Sequence, residues 1–418
     1  MKTTLLLVNA VALLVGISYG MHGPSLPIFA KNVIGASYSD LGLIGLGNFI
    51  PYMFIPLFVG LLLDRYNRGH LLSIGVVLNS ASIYLLSIAQ TVPEVAVYRV
   101  MTGAAHAFFW PPCVRIISSV STGRERVLNV GRFTGFFIGG VTMGPLLGSV
   151  LLENVDVTYR ALFQITAFVL AAAIIASISL SRRHARDSAT GLATPAASVS
   201  IHTPHFTLSA VKAMARFPEV ILVLVYCTAS FGVILAIFPA YLDDNLLTGT
   251  EIGILYFVFG LSRITALIMV GRLARRTGHT LVASTVSLVI GLGLAYVAGI
   301  TGGGLFLFAA SLLIMGFGFS VLFPLALEVV LSRTHKKITG SMIGAYETTI
   351  GIGWVTGPII VGVISEFYGG DLPYLVLCIL GAGVAVLSAA RRHRLEPARS
   401  PGGASLHGAP PSGLDTPS

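Results

Sequence analysis

Charge is the first thing this sequence lacks. Of its 418 residues only 10% are Asp, Glu, Lys or Arg, against about 25% in a soluble domain. So few charges cannot cover a surface that faces water. Cysteine is nearly absent as well. Cys113, Cys227 and Cys378 each stand alone in an apolar run. With no Cys-x-x-Cys and no histidine set beside them, disulfide and metal chemistry are disfavoured. Gly302-Gly303-Gly304 is followed by no Lys-Ser/Thr pair, so the chain carries no phosphate cradle of the Walker type. Paired Asp, a His/Glu metal set and a Ser-Lys pair are all missing from the membrane faces. No enzyme activity and no cofactor are expected.

What the chain has in excess is apolar length. Hydrophobic residues make up 55%, and mean hydropathy is +0.86. A membrane helix needs about 20 predominantly apolar residues. Runs of that kind lie near 4–29, 40–63, 70–90, 94–119, 127–152, 159–180, 217–241, 250–271, 279–299, 303–331, 338–364 and 372–390. The first is too long for a signal peptide and has no convincing cleavage site. The fold expected is an all-α membrane protein with twelve transmembrane helices.

The basic residues are sorted to one side of these runs. Arg65, Arg68, Arg124, Arg126, Arg182, Arg183, Arg272, Arg275, Arg276, Arg333, Lys336, Lys337 and Arg391 fall in alternate loops and in the tail. The other loops hold only Lys31 and Arg160. The basic side is expected to be cytoplasmic and to include both termini. That asymmetry accounts for the net charge of +9 without a nucleic-acid partner.

The two halves of the chain match. Ser39-Asp40-Leu41-Gly42 corresponds to Thr250-Glu251-Ile252-Gly253 at an offset of 211. Gly103, Pro111, Gly131 and Gly140-x-x-x-Gly144-Pro145 recur 213 residues later as Gly316, Pro324, Gly344 and Gly353-x-x-x-Gly357-Pro358. A duplicated six-helix unit of this kind is typical of secondary transporters. The expected divisions are a bundle over 1–180, a cytoplasmic linker over 181–216, a second bundle over 217–391 and a disordered tail over 392–418.

Gly60-x-x-x-Asp64-Arg65-Tyr66-Asn67-Arg68 resembles the loop motif of the major facilitator superfamily, with Asn67 where the family has glycine. Arg99-x-x-x-Gly103 resembles that family's second motif. Gly140-x-x-x-Gly144-Pro145-x-x-Gly148 resembles its third, associated with antiporters. The resemblance covers about residues 4–390. It implies two pseudo-symmetric six-helix bundles that rock about a central site, with the Asp64 loop holding one state.

Charged side chains within membrane spans face cavities by default. Arg99, Gly103, His106 and Trp110 are spaced along one face of the fourth run; Glu347, Gly351, Trp354 and Pro358 repeat the pattern in the eleventh. Arg99, His106, Trp110, Asn48, Tyr256, Arg263 and Trp354 are the candidate substrate-binding residues. Glu347 is the candidate proton carrier, with His22 beside it and Arg263 as the expected partner of Glu347. Gly60, Asp64, Arg65, Arg68, Arg115, Arg132, Glu328, Gly140, Gly144 and Pro145 are the candidate gating and packing residues. No metal site is expected. The function expected is alternating-access transport of a small organic solute across the cell membrane by a monomer, as proton-coupled export. Uptake or exchange of an organic anion is the alternative, because arginine outnumbers acid in the interior and the first six runs contain no buried carboxylate.

Overall fold

A computed structural model of the chain describes residues 2–63, 66–189, 212–334 and 339–397. The described residues form helices and connecting turns, with no strand among them. In chain order the first-half helices are α1 (Lys2–Asn32), α2 (Tyr38–Leu62), α3 (Arg68–Ile88), α4 (Val92–Ala107), α5 (Trp110–Val120), α6 (Gly123–Glu153) and α7 (Tyr159–Ala189). The second half holds α8 (Pro218–Ala236), α9 (Phe238–Asp244), α10 (Gly249–Leu273), α11 (Thr277–Thr301), α12 (Gly304–Ser332), α13 (Thr339–Tyr368) and α14 (Leu372–Ala390). Nine stretches among the described residues are long and apolar enough to cross a membrane, one of them spanning both α10 and α11. The apolar character runs round every side of these helices, as it must where lipid replaces water.

Two expected spans are broken. The run at 94–119 divides between α4 and α5 at Phe108 and Phe109. Pro111 and Pro112 follow the break, and neither can donate a backbone N–H to the turn before it. The end of α4 tightens instead, with Phe108 N–H bonded to Ala105 and Phe109 N–H to His106, each at 3.1 Å. The run at 217–241 breaks at Ile237, just before Pro239. The carbonyl of Ile234, in the last turn of α8, accepts the Tyr256 hydroxyl instead.

The ends of the expected domains also move. The helix α7 continues past residue 180 to Ala189, so the expected linker begins as helix; its middle, 190–211, lies outside the described residues. The expected tail begins as a 3₁₀ turn, Arg392–Leu395, with Leu395 fully buried. Arg391 and Arg394 reach Glu219 at 3.3 and 3.1 Å. Glu219 is buried, and two cations offset the cost of keeping its charge there.

The repeat is visible in the helix starts. Ser37 caps α2 by accepting from Asp40 N–H at 3.2 Å, while the Asp40 carboxylate accepts from Ser37 N–H at 2.9 Å. Thr248 and Glu251 form the same reciprocal box on α10, at 3.3 and 2.8 Å.

Two helix pairs join the halves: α2 packs on α13, and α6 on α10. Both contacts use a Gly-Pro element on two faces. The glycines Gly140 and Gly144 lie against α1, at Leu13, Gly16 and Gly20, inside their own bundle. Gly353 and Gly357 lie against α8 in the same way. The Pro145 and Pro358 rings touch Gly20 and Gly232 of their own bundles, while their carbonyls face the other bundle. A Cβ on Gly253 would sit 2.9 Å from the Pro145 carbonyl, and one on Gly42 would sit 2.7 Å from that of Pro358.

The α6–α10 contact holds at one end only. We call the end bearing Lys2 and Ala189 the linker end, and the other the far end. Gly253 and Gly260 on α10 press against Pro145, Ser149 and Thr142 of α6. On the same α10 face, five turns toward the linker end, Gly271 has no atom within 4 Å of a built Cβ. Gly131 and Gly135 of α6, in register with Thr142, are equally open. The two helices therefore touch near the far end and part toward the linker end.

Candidate functional site

The first bundle gathers rings and cations between α1, α4, α5 and α6. Tyr19 lies 5.4 Å from His22 and 5.1 Å, edge-on, from His106. Its hydroxyl donates to the Thr102 carbonyl at 3.4 Å. His22 is fully buried. Its Nδ1 donates to the Ser18 carbonyl at 2.6 Å, and its Nε2 has no hydrogen-bond partner. That bond leaves Nε2 as the basic nitrogen of the neutral ring. Trp110 packs on Phe133 at 4.9 Å and on Phe137 at 5.6 Å. Gly103 brings α4 against the Asn48 backbone of α2. The Asn48 side chain is buried, and its Oδ1 has no partner. Arg99, one turn from Gly103, is half-buried with its Nε shielded and unbonded.

The second bundle holds its cation on aromatic faces. The Arg263 guanidinium lies 5.2 Å from the Phe231 ring, 5.6 Å from Phe259 and 5.8 Å from Phe319. Its Nε donates to Ser320 Oγ at 3.4 Å. Phe231 and Phe319 are stacked, with centroids 3.7 Å apart and planes 5° from parallel. Guanidinium is weakly hydrated and stacks well on rings, so it survives such a setting better than an ammonium would. Tyr256 is buried beside this group, its hydroxyl spent on Ile234.

Among the described residues, a ring contact joins the bundles at this level. Phe49 of α2 lies 5.5 Å from Trp354 of α13, and Trp354 lies 6.4 Å from Phe231. Arg263, Trp354 and Tyr256 thus belong to one cluster, and Arg99, His106, Trp110, Asn48 and His22 to another across the interface.

The carboxylates do not join them. Among the described residues no ion pair links Arg263 or Arg99 to any acid. The expected Arg263–Glu347 pair is not formed. Glu347 is exposed, eight positions into α13 and one turn from Gly351, which packs on Met53 of α2. Trp354, two turns further along α13, carries the aromatic bridge instead. Glu328 is exposed on α12, and no ion pair joins it to Arg115. Arg132 is exposed, and among the described residues it reaches its neighbour Asn129, at 3.5 Å. Arg68 opens α3, and Gly60 lies in the last turn of α2. Asp64 and Arg65 lie outside the described residues.

A set of residues that sequence reasoning passed over closes the far end. Lys31 of α1 pairs with Asp244 at the end of α9. Tyr38 of α2 donates to the same carboxylate at 2.6 Å. Asn32 donates to Asp243 at 2.7 Å, and Tyr38 N–H to Glu366 of α13 at 2.9 Å. Every one of these bonds runs between the bundles. A signal was available: Asn32 and Asp243 are 211 positions apart, the offset of the repeat in this region. The aromatic cradle of Arg263 carried no such signal, because phenylalanine serves equally well against lipid.

Comparison with known proteins agrees with this architecture. The model of the Major Facilitator Superfamily matches residues 8–349 and 220–412. The quinolone resistance protein NorA of Staphylococcus aureus is 25% identical over 165 residues, 39% of this chain. The match spans only 42% of that relative's length. An uncharacterised MFS-type transporter of Mycobacterium tuberculosis is 26% identical over 379 residues, 84% of this chain and 83% of its own. Crystal structures of the nucleoside transporter NupG, a mutant form and the parent, superpose with TM-scores of 0.75 and 0.72 at 14% identity. Each covers 93% of this chain and 99% of the other. With a family model matched along most of its length, the chain belongs to the Major Facilitator Superfamily.

Proposed function

We propose that this transporter moves a small organic anion with an apolar or aromatic body across the cell membrane by alternating access. The observation that carries the reading is the pair of interior guanidinium groups, Arg99 and Arg263, without a carboxylate partner among the described residues. A cation held in a low-dielectric interior is costly unless something compensates it. A bound anion supplies the missing charge, and the rings of Trp110, Phe231 and Trp354 suit its flat or apolar part.

The cycle follows from which end is closed. The far end is tied by Lys31, Tyr38 and Asp244, and the bundles part toward the linker end. The basic loops argue that the linker end is cytoplasmic, with both termini there and twelve crossings in all. The conformation is then open to the cytoplasm. One chain supplies both bundles, so a monomer suffices.

Export in exchange for protons is the direction we assign. Glu347 is exposed in the half of α13 nearer the linker end, where a proton from that side would reach it. The relatives' printed names, quinolone resistance and nucleoside transport, both concern ring-bearing solutes.

A thermal-shift panel on purified protein tests the substrate class, since a ligand that binds only the folded state raises stability by mass action. Matched aromatic carboxylates, neutral analogues and aromatic amines are compared. Stabilisation by the carboxylates, lost in Arg263→Gln, is expected. Stabilisation confined to the amines or the neutral analogues overturns the anion reading.

A further inference from the structure

Away from the central site, a groove of about 510 Å³ opens between the first turn of α3 and the last turns of α7. Tyr66, His70 and Arg182 form its polar rim, and Ile74 and Ile178 continue it along the apolar flank. Its described lining residues include two basic side chains and no acid. Ser181 also lines it; this residue is 2% exposed, and its Oγ has no hydrogen-bond partner. The backbones are fixed here. Gly69 leaves no room for a side chain against Ser181, and Asn67 Nδ2 donates to the Ser181 carbonyl at 3.4 Å. Asn67 also caps Gly69 N–H at 2.8 Å, which points the positive end of the α3 dipole at the same rim.

The depth of the groove decides its occupant. Polar helix ends give way to lipid-facing isoleucines within two turns: Ile74 is 51% exposed and Ile178 38%. A water-soluble anion would use the rim and leave the flank bare. A phospholipid fills both, with its phosphate on Arg182 and His70 and an acyl chain over Ile74 and Ile178. We propose that the groove between α3 and α7 holds an anionic glycerophospholipid at the linker face of the membrane. Bound there, it spans the two helices of the first bundle that the Gly69–Ser181 contact already joins.

The test uses the full-length protein in detergent. The reading is its thermal shift and the lipid adducts it retains in native mass spectrometry, on adding phosphatidylglycerol. Phosphatidylcholine and inorganic phosphate serve as comparisons. Phosphatidylglycerol is expected to stabilise the protein and remain bound. Arg182→Gln is expected to weaken that binding about fivefold, the effect of one basic residue near an anionic lipid surface. Arg183→Gln, on the same helix end but outside the groove, is expected to change it little. Three results overturn the proposal: inorganic phosphate alone reproducing the shift, phosphatidylcholine binding equally well, or both arginine variants losing affinity equally. Each variant's melting temperature without lipid is measured alongside. If Arg182→Gln does not fold, His70→Gln and Ile74→Ser serve in its place, and unchanged binding in both likewise overturns it.

Discussion

Asn32 and Asp243 stand at equivalent positions of the two repeats, 211 residues apart, and meet through a 2.7 Å hydrogen bond at the far end, with the Lys31–Asp244 ion pair beside it. Two equivalent points of a duplicated structure can touch only beside the axis that relates the duplicates. The pair therefore marks where that axis leaves the molecule at its closed end. Duplication alone would have placed like beside like; here divergence has put an amide donor opposite a carboxylate on the axis.

The first prediction follows. Lys31→Gln or Asp244→Asn removes an attraction present only while the far end is closed. Both side chains are partly exposed, at 23% and 38%, so screening limits the effect to about 0.5–1 kcal/mol. The closed state is expected to lose population roughly two- to fivefold, read as faster labelling of a far-end cysteine. The exchanged double variant, Lys31→Asp with Asp244→Lys, is expected to restore the slow rate. Unchanged labelling in both single variants would remove the gate.

The second concerns the tight face of the interface. Gly42→Leu places a side chain where a Cβ alone would lie 2.7 Å from the Pro358 carbonyl. Overpacking of this kind costs about 1–3 kcal/mol, and it falls on the far-closed state alone. Transport is expected to drop about tenfold or more, with far-end labelling faster. Gly253→Leu is expected to behave alike, as the repeat counterpart facing Pro145. Gly139→Ala is the control: nothing lies within 4 Å of its built Cβ, and near-normal transport is expected.

Much of this fold can be read from the chain, and the reasons differ by element. Lipid solvation makes spans visible as apolar length, and the capping pairs Ser37–Asp40 and Thr248–Glu251 mark helix starts locally. The breaks before Pro111 and Pro239 are also local chemistry, yet a hydropathy run passes over a two-residue interruption. Helix rotation is another matter. A helix apolar on all sides carries no stripe to show which face meets its neighbours, so the Phe231–Phe319 stack beneath Arg263 had no signature. Arg99 and Arg263 stood out because charge is rare in such helices. Glu347 stood out for the same reason, but rarity says nothing of its partner, and Arg263 turned to rings instead of to the acid.

The third prediction tests those two arginines. Removing one member of a desolvated charge pair typically costs about 2–5 kcal/mol. Arg263→Gln is expected to weaken an anionic solute by about 30-fold or more, read by binding titration. Arg263→Lys is expected to recover little, because the ammonium loses the planar stacking on Phe231, Phe259 and Phe319. Arg99→Gln is expected to weaken it too. Affinity within a factor of two in both glutamine variants would sink the anion reading and leave the aromatic surfaces as the only recognition element.

The last prediction concerns Glu347. It is exposed on α13 toward the linker end, and among the described residues no ion pair holds it permanently charged. In the conformation closed at the linker end, the bundles that are apart here come together, and the same carboxyl passes from water into the interface. A carboxylate without a cation resists that transfer, whereas the neutral acid does not. Closure of the linker end is thus easier with a proton on Glu347 or with another source of positive charge beside it. Exchange follows if the empty carrier crosses protonated and the loaded carrier crosses deprotonated, one of Arg99 and Arg263 offsetting the bound anion and the other supplying the positive charge for the carboxylate. Glu347→Gln is neutral in both states and imposes no such requirement. In proteoliposomes it is expected to abolish accumulation driven by an imposed pH gradient, while downhill exchange of solute for solute persists near the wild-type rate. Accumulation by Glu347→Gln equal to wild type would move the proton to His22, whose unbonded Nε2 is the next candidate. Loss of downhill exchange along with accumulation would instead make Glu347 a gate or packing residue, with no part in carrying the proton.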